Sequence, residues 1–223
     1  MLAIWTVIYL SLKSRGAGKE MLKVSLWTSI LGLTEPLFVP EYWNPPSLFD
    51  LAQRTGFDIE SLIFSFAIGG IAAILYEKIF GANHQSIPIE ERKSGRHWFH
   101  PYALISAPLI LIALLIFTEW NPIYSSIIAM VAAGILSVYC RSDLAKKMLT
   151  GAFLFLIFYF LSFLMIDFLS PGYVEKVWNL GALSGILIFG VPLEELLFAA
   201  AVGFLWSGIY EHFAWRRLKS VVV

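Results

Sequence analysis

Five acidic side chains lie beside or within long apolar runs of the chain, where a charged group is costly. Glu194 and Glu195 open the last apolar run, Glu60 opens an earlier one, and Glu35 and Asp167 lie near the ends of two others. Ionisable groups at membrane depth are by default candidates for function. Two carboxyl groups in unlike surroundings can divide the roles of general acid and general base. We therefore take these five acids as candidate catalytic residues.

A structural role is the alternative explanation for the acids that open helices. An acid in the first turn is stabilised by the helix dipole, which accounts for Glu60 or Glu194 taken alone. Each is followed four residues later by a phenylalanine on the same helical face, Phe64 and Phe198, and this repetition favours function. Glu195 projects roughly 100° away from Glu194, so we expect one of the two to face a given cavity.

The chain contains an internal repeat, and the acids take corresponding places in it. Residues 56–64 match residues 190–198, so that Glu60 pairs with Glu194, and the same offset pairs Glu77 with Glu211. Glu35 pairs with Asp167 at nearly the same offset. Parallel repeats usually hold the working site at their interface. We therefore expect Glu35, Asp167, Glu60 and Glu194 to converge around one pseudo-twofold axis.

Composition predicts the elements that must position these acids. Apolar residues make up 58% of the 223 residues and charged residues 14%, which excludes an ordinary soluble domain and leaves room for about seven spans. The apolar runs predict seven helices, at residues 1–12, 21–40, 57–80, 101–117, 123–140, 148–169 and 183–213. The predicted fold is an all-α integral membrane protein of seven transmembrane helices, with parallel three-helix repeats at 1–80 and 121–223 joined by a connector, 81–120, that holds the fourth helix.

The charges indicate the orientation of these helices. With seven spans, 14 of the 16 basic residues lie on one side, and only Arg54 and Lys176 lie on the other. Basic residues collect on the cytoplasmic side. The sequence therefore predicts a multi-pass protein of the plasma membrane with its N-terminus outside and its C-terminus in the cytoplasm.

Two aromatic or polar clusters have no clear chemistry of their own. The loop with Tyr42 and Trp43 is rich in proline and aromatic residues, and either an interfacial belt or a substrate lid explains it. His97 and His100 are most simply an interface anchor, and we expect no metal there because two more ligands are not evident. Cys140 is the only cysteine, which excludes a disulfide framework.

Other absences narrow the class of protein. No glycine-rich dinucleotide motif or phosphate-binding loop is present, so we expect no cofactor. The 16 basic residues balance the 16 acidic ones, and nothing in this charge recruits nucleic acid. The expected partners are membrane lipid and an apolar ligand, and a homo-oligomer stays open.

The stretch from Gly190 to Phe198, with Asp167 one helix earlier and a degenerate copy around Glu60, resembles the integral-membrane lycopene cyclases. The resemblance covers nearly the whole chain as a fused form with two units. It implies cyclisation of the ends of a linear carotenoid, an intramolecular lyase or isomerase reaction that needs neither redox change nor cofactor.

The resemblance also implies roles for the residues. Glu194 is expected to be the principal acid or base, with Asp167, Glu60 and Glu35 as its partners. Aromatic side chains are expected to contact the carotenoid and its cationic intermediate. These candidate substrate-binding residues are Phe198, Phe64, Trp178, Tyr42 and Trp43.

The first repeat departs from the family pattern. It has Asp58-Ile-Glu60-Ser61 where a family copy has Pro-x-Glu-Glu, and its helix-two acid is Glu35 rather than aspartate. Two alternatives therefore stay open. One is a small membrane transporter of parallel three-helix repeats, and the other is a carotenoid- or lipid-binding relative without catalytic activity.

Overall fold

The computed structural model describes residues 1–81 and 84–218, so the last five residues of the predicted second repeat lie outside it. The described chain is mostly α-helical. Its α-helices are α1 (Leu2–Leu10), α2 (Arg15–Ser29), α3 (Leu51–Thr55), α4 (Ile59–Phe80), α5 (Ile89–Arg92), α6 (His100–Phe117), α7 (Pro122–Cys140), α8 (Ala145–Leu169), α9 (Tyr173–Val177) and α10 (Leu193–Ala214). Short 3-10 helices lie at Ile30–Leu37, Leu48–Asp50, Gly95–His97, Ser142–Leu144 and Leu180–Ala182.

Five helical segments of the described chain are long and apolar enough to cross a membrane. They are α4, α6, α7, α10 and the segment Ser142–Leu169, which contains α8. This confirms an α-helical membrane protein. The other two predicted spans are shorter: α1 has nine residues, and α2 tightens into the 3-10 helix that contains Pro36, whose ring and missing N–H disfavour a continuing α-helix. The seven-span repeat stays a prediction.

The last helix begins later than the sequence predicts. Residues 183–192 form no part of α10; they include the antiparallel strands β1 (Leu187–Ile188) and β2 (Val191–Pro192). The turn between the strands has positive φ angles at Phe189 and Gly190. The apolar residues of this stretch had predicted a helix. Gly190, in the left-handed region, ends any helix before it, and Pro192 is suited to the position just before α10 begins. α2 in turn begins earlier than predicted, at Arg15, because the Ser14 side chain accepts a hydrogen bond from Gly16 N.

Small residues let the helices pack closely. A Cβ atom on Gly69 or Gly70 of α4 would overlap Thr28 or Ser25 of α2, and one on Gly203 of α10 would come within 2.6 Å of the Gly151 carbonyl of α8. Lipid supplies no hydrophobic drive between helices, so close backbone approach has to hold them together. α10 lies centrally and also contacts α4 and α7.

A buried lysine joins four helices at one end of the bundle. Lys147 of α8 pairs with Glu77 of α4 and Glu211 of α10, which occupy corresponding places in the repeat, and its Nζ lies 3.9 Å from Glu20 of α2. The four side chains are almost fully buried. His84 borders the group, with its Nε2 2.6 Å from Glu211 Oε1. Three acids and one lysine so close together need a further cation.

His84 supplies that cation. It lies on a strand, β3 (His84–Ser86), that pairs with β4 (Arg216–Leu218) after α10. Burial lowers the pKa of His84, but hydrogen bonds to Glu211 and Glu77 and the charge of Glu20 outweigh it and raise the pKa to about 10. His84 is therefore protonated at neutral pH, which leaves the group close to charge balance.

Replacing Lys147 should destabilise the fold strongly. Lys147→Met leaves buried carboxylates without their main partner, which costs about 3–5 kcal/mol. We expect a clearly lower thermal midpoint of unfolding in detergent. The matched control is Lys146→Met, at an exposed neighbour, and equal midpoints for the two variants would contradict this account of the buried group.

Candidate active site

A cavity of about 530 Å³ lies among α2, α4, α6, α7 and α10. Its wall is mainly apolar and includes Ile68, Leu111 and Met130. The acids among its described lining residues are Glu35 and Glu195. A large apolar cavity with few polar groups is typical of a site for an apolar ligand, and the two acids are the groups that could act on one.

Glu195 is fixed in the cavity wall by three neutral donors. Its Oε1 accepts hydrogen bonds from the Tyr42 hydroxyl and from Trp178 Nε1, the latter at 2.8 Å, and its Oε2 accepts one from the Tyr159 hydroxyl at 2.9 Å. All four side chains are buried. Hydrogen bonds of this kind favour the ionised carboxyl group over the neutral one. The cavity therefore presents to its ligand a carboxyl group whose two oxygens are fixed by these three donors.

The Tyr42 hydroxyl stays protonated because it is buried beside Glu195. Tyr42 belongs to the loop after the 3-10 helix Ile30–Leu37 and packs into the core. Burial, together with the charge of Glu195 and the hydrogen bond to it, raises the pKa of Tyr42 well above its usual value of 10. Tyr42 is thus a neutral hydrogen-bond donor to Glu195 at neutral pH.

Glu35 lies in the same cavity in a different setting. It belongs to the 3-10 helix, is 6% exposed, and its Oε1 has no hydrogen-bond partner among the described residues. Ser61 and Trp43 are its near polar neighbours. A buried carboxyl oxygen without a partner is less costly when the group is neutral. The cavity thus holds one well-supported carboxylate and one acid with less support, which is the arrangement that separates a base from an acid.

Glu194 and Glu60 hold loops rather than line the cavity. Glu194 Oε1 accepts hydrogen bonds from the Tyr124 hydroxyl at 2.6 Å and from Ser184 N at 2.8 Å. Glu60 Oε1 accepts one from Leu48 N, also at 2.8 Å. Each acid therefore ties down the loop that precedes its own helix. The two occupy corresponding places in the repeat and make the same kind of contact.

Asp167 also lies outside the cavity lining. It is half-buried near the end of α8, and its Oδ2 lies 4.0 Å from the point where a Cβ on Gly190 would be. Of the four acids expected to converge, only Glu35 joins the cavity. For Glu60 and Glu194 the reason is the helical step, because the residue that faces the cavity is one position later, Ser61 in α4 and Glu195 in α10.

Four of the five aromatic residues predicted to bind substrate line the cavity, and one lies behind the wall. Phe64, Phe198, Tyr42 and Trp43 line the cavity. Trp178 lies behind them, where it donates to Glu195 and packs on Trp43 with ring centroids 5.6 Å apart. Aromatic faces beside a carboxylate stabilise a cation. The wall near Glu195 is therefore suited to positive charge.

Sequence reasoning missed Tyr159. A signal for Tyr159 was present, because a hydroxyl group within the apolar run of α8 needs a polar partner when it is buried. Ser61 had been noted as a departure from the second Glu of the family pattern, but not as a residue of the cavity wall.

Losing Glu195 should cost stability because its donors lose their acceptor. Glu195→Leu leaves two buried hydroxyl groups and one indole N–H facing an alkyl group, and each unsatisfied group costs about 1–3 kcal/mol. We expect a lower thermal midpoint in detergent than for the wild type. The matched control is Glu35→Leu, which removes a carboxyl group with fewer partners; a larger loss there would contradict the geometry.

Comparison with known proteins finds a family to which part of the chain is similar. Residues 121–213 match the family model described as lycopene cyclase. The matched segment contains α7, α8 and all but the last residue of α10, and it carries Glu195, Tyr159 and Trp178. No curated protein and no solved structure matches the chain. The resemblance predicted from the sequence is confirmed for this segment.

Proposed function

We propose that this membrane protein, with its lycopene cyclase domain at residues 121–213, is a carotenoid end-group cyclase that works by acid/base catalysis within the membrane. The reaction class is an intramolecular lyase or isomerase without cofactor and without redox change. The observation that carries the proposal is Glu195, a carboxylate held by three neutral donors in an apolar cavity.

The reaction divides between the two acids of the cavity. Glu35 donates a proton to the terminal alkene of the linear end group, which becomes a tertiary carbocation. The neighbouring alkene attacks that cation, and a new carbon–carbon bond closes a six-membered ring. Glu195 then removes a proton from a carbon next to the new cation, and the electron pair of that bond forms the final double bond. Glu195 then loses this proton to solvent and Glu35 takes one up from solvent, which completes the cycle, so the product is an isomer of the substrate.

This assignment differs from the expectation that Glu194 is the principal acid. Glu194 is held by Tyr124 and Ser184 outside the cavity lining, so we assign it to the loop before α10. The same reasoning assigns Glu60 to its own loop and leaves Asp167 without a reacting role. Phe64, Phe198, Tyr42 and Trp43 are the proposed contacts for the carotenoid, because their rings can stabilise its cation.

The proposal includes an arrangement in the membrane. The chain crosses the plasma membrane seven times as two parallel three-helix repeats, 1–80 and 121–223, with α6 as the linking span. The N-terminus lies outside and the C-terminus in the cytoplasm, on the side of most basic residues. The carotenoid enters from the bilayer. α6 supports this route, because it borders the cavity and only 17% of its residues are buried by the protein.

A carotenoid-binding protein without catalytic activity is the second candidate function. The observation in its favour is Ser61, which stands in the first repeat where the second repeat has Glu195. An apolar cavity would serve binding as well as catalysis. The transporter alternative has less support, because a path for a polar solute needs more polar groups than this wall has.

The central prediction concerns the two adjacent acids of α10. In cells that accumulate lycopene, we expect the wild type to form cyclic carotenoids, and Glu195→Gln to form them at least about a hundredfold more slowly, since general acid–base catalysis contributes 10²–10⁴-fold. Pigments are separated by chromatography and compared at equal protein levels. Glu175→Gln, at an exposed acid, is the control.

The outcomes separate the candidate functions. Loss of activity in Glu194→Gln with activity kept in Glu195→Gln would overturn our assignment and restore the expectation from the sequence. Unchanged lycopene that copurifies with the folded wild type would favour the binding protein.

Labelling tests the proton steps directly. When the reaction runs in deuterated water, the exchanged acid delivers deuterium to the alkene, and the ring-closing step ends with loss of a proton from carbon. We expect each ring to add one deuterium to the product, measured by mass spectrometry. In ordinary water, product and substrate should have the same mass. A product that differs by two hydrogens would exclude a cyclase without redox change.

A further inference from the structure

Three histidine and cysteine side chains meet at the end of the bundle opposite Glu195. They are His100 at the start of α6, Cys140 at the end of α7 and His212 near the end of α10. One ligand atom from each lies within 4.8 Å of those of the other two, and all three side chains are buried. Residues from three separate helices therefore bring a thiol and two imidazoles to one point.

The distances around Cys140 are those of ligands that share a metal ion. Its Sγ lies 3.6 Å from His100 Nδ1 and 3.5 Å from His97 Nδ1. A tetrahedral zinc ion, with Zn–S near 2.3 Å and Zn–N near 2.0–2.1 Å, separates a sulfur and a nitrogen ligand by about 3.5 Å. His97 precedes α6 and offers a further nitrogen beside Cys140. The sequence left this pair of histidines as an interface anchor for want of two more ligands, and the fold supplies them.

The histidines carry buried nitrogens that hydrogen bonding leaves unused. His100 Nε2 and His212 Nε2 are buried and have no hydrogen-bond partner among the described residues. His212 Nδ1 lies 3.2 Å from Ser137 Oγ. A metal-bound histidine usually has its second nitrogen oriented by such a partner, which leaves Nε2 of His212 for the ion. An ion would use Nε2 of His212, which no hydrogen bond from the described residues occupies, and Nδ1 of His100, which lies beside Cys140.

The neighbouring charges permit a cation here. Arg141 follows Cys140, and its guanidinium pairs with Asp143 through bonds of 2.6 and 2.8 Å. That pairing offsets the positive charge closest to the site. Zinc binding would also convert the Cys140 thiol to a thiolate, whose charge partly balances the ion.

We propose that His100, Cys140 and His212 bind a zinc ion, with His97 as the fourth ligand. A thiolate combined with imidazoles is a donor set that suits zinc. The ion would fasten the start of α6 to the ends of α7 and α10, at the end of the cavity where Ser137 and His212 form part of the wall. The site is structural and does not depend on the proposed cyclase activity.

The other group with metal-ligating residues is a poorer candidate. Glu20, Glu77, His84 and Glu211 also come within reach of one another. Lys147 already pairs with Glu77 and Glu211 there, so its ammonium group takes the place of a cation. This group provides an internal control for the experiment.

The first test is metal content. Protein carrying a tag without histidine is purified in detergent, supplied with zinc and freed of excess, and its zinc is measured by mass spectrometry. We expect one zinc ion per chain in the wild type and in His84→Gln, and a loss of at least tenfold in Cys140→Ser. Absence of zinc from the wild type, or its loss in His84→Gln with retention in Cys140→Ser, would overturn the proposal.

Two further measurements do not depend on a cysteine variant that folds well. Cobalt in place of zinc should give the wild type a thiolate-to-cobalt charge-transfer band in the near ultraviolet, which the three carboxylates and one histidine of the other group cannot produce. His97→Ala should keep one zinc ion per chain but release it to a competing chelator at lower chelator concentration. Absence of the band in cobalt-loaded wild type, or identical release from His97→Ala and wild type, would contradict the assigned ligands.

Discussion

A carboxylate buried in an apolar cavity has to find its hydrogen-bond donors in the protein, because neither lipid nor water supplies them. Glu195 meets that requirement with donors from three places in the chain: the loop at Tyr42, the middle of α8 at Tyr159, and the segment after α9 at Trp178. Tyr42 belongs to the first predicted repeat and the others to the second. Glu195 therefore has all three hydrogen bonds only when both halves of the chain are folded against each other.

A second buried acid, at the other end of α10, also finds its partner within the protein. Glu211 lies in α10, and Lys147 of α8 joins it to Glu77 of α4. α10 thus carries a matched buried acid at each end, with closely packed small residues such as Gly203 between them. Both ends of the helix are fixed relative to α8. A cavity bordered by α10 can therefore keep its shape while it holds a flexible apolar ligand.

Much of this arrangement could be predicted from the sequence, because it depends on local pattern. Apolar runs predicted the long helices, and the repeat predicted that Glu60 and Glu194 are equivalent. Which of Glu194 and Glu195 faces the cavity could not be predicted, because it depends on the rotation at which α10 starts. The hairpin at residues 187–192 leads directly into that start, and its apolar residues had been predicted as part of the helix. The meeting of Cys140 with His212 was equally hidden, since nothing local links the ends of α7 and α10.

The difference between Ser61 and Glu195 has a consequence for a substrate with two identical ends. Two equivalent carboxylates would allow a long symmetric molecule to react at both termini from opposite halves of one site. Here the equivalent place in the first half carries only a hydroxyl group. A second ring would then require the half-reacted molecule to leave, reverse its direction in the bilayer and bind again. The ratio of one-ring to two-ring products would accordingly depend on the residence time of that intermediate.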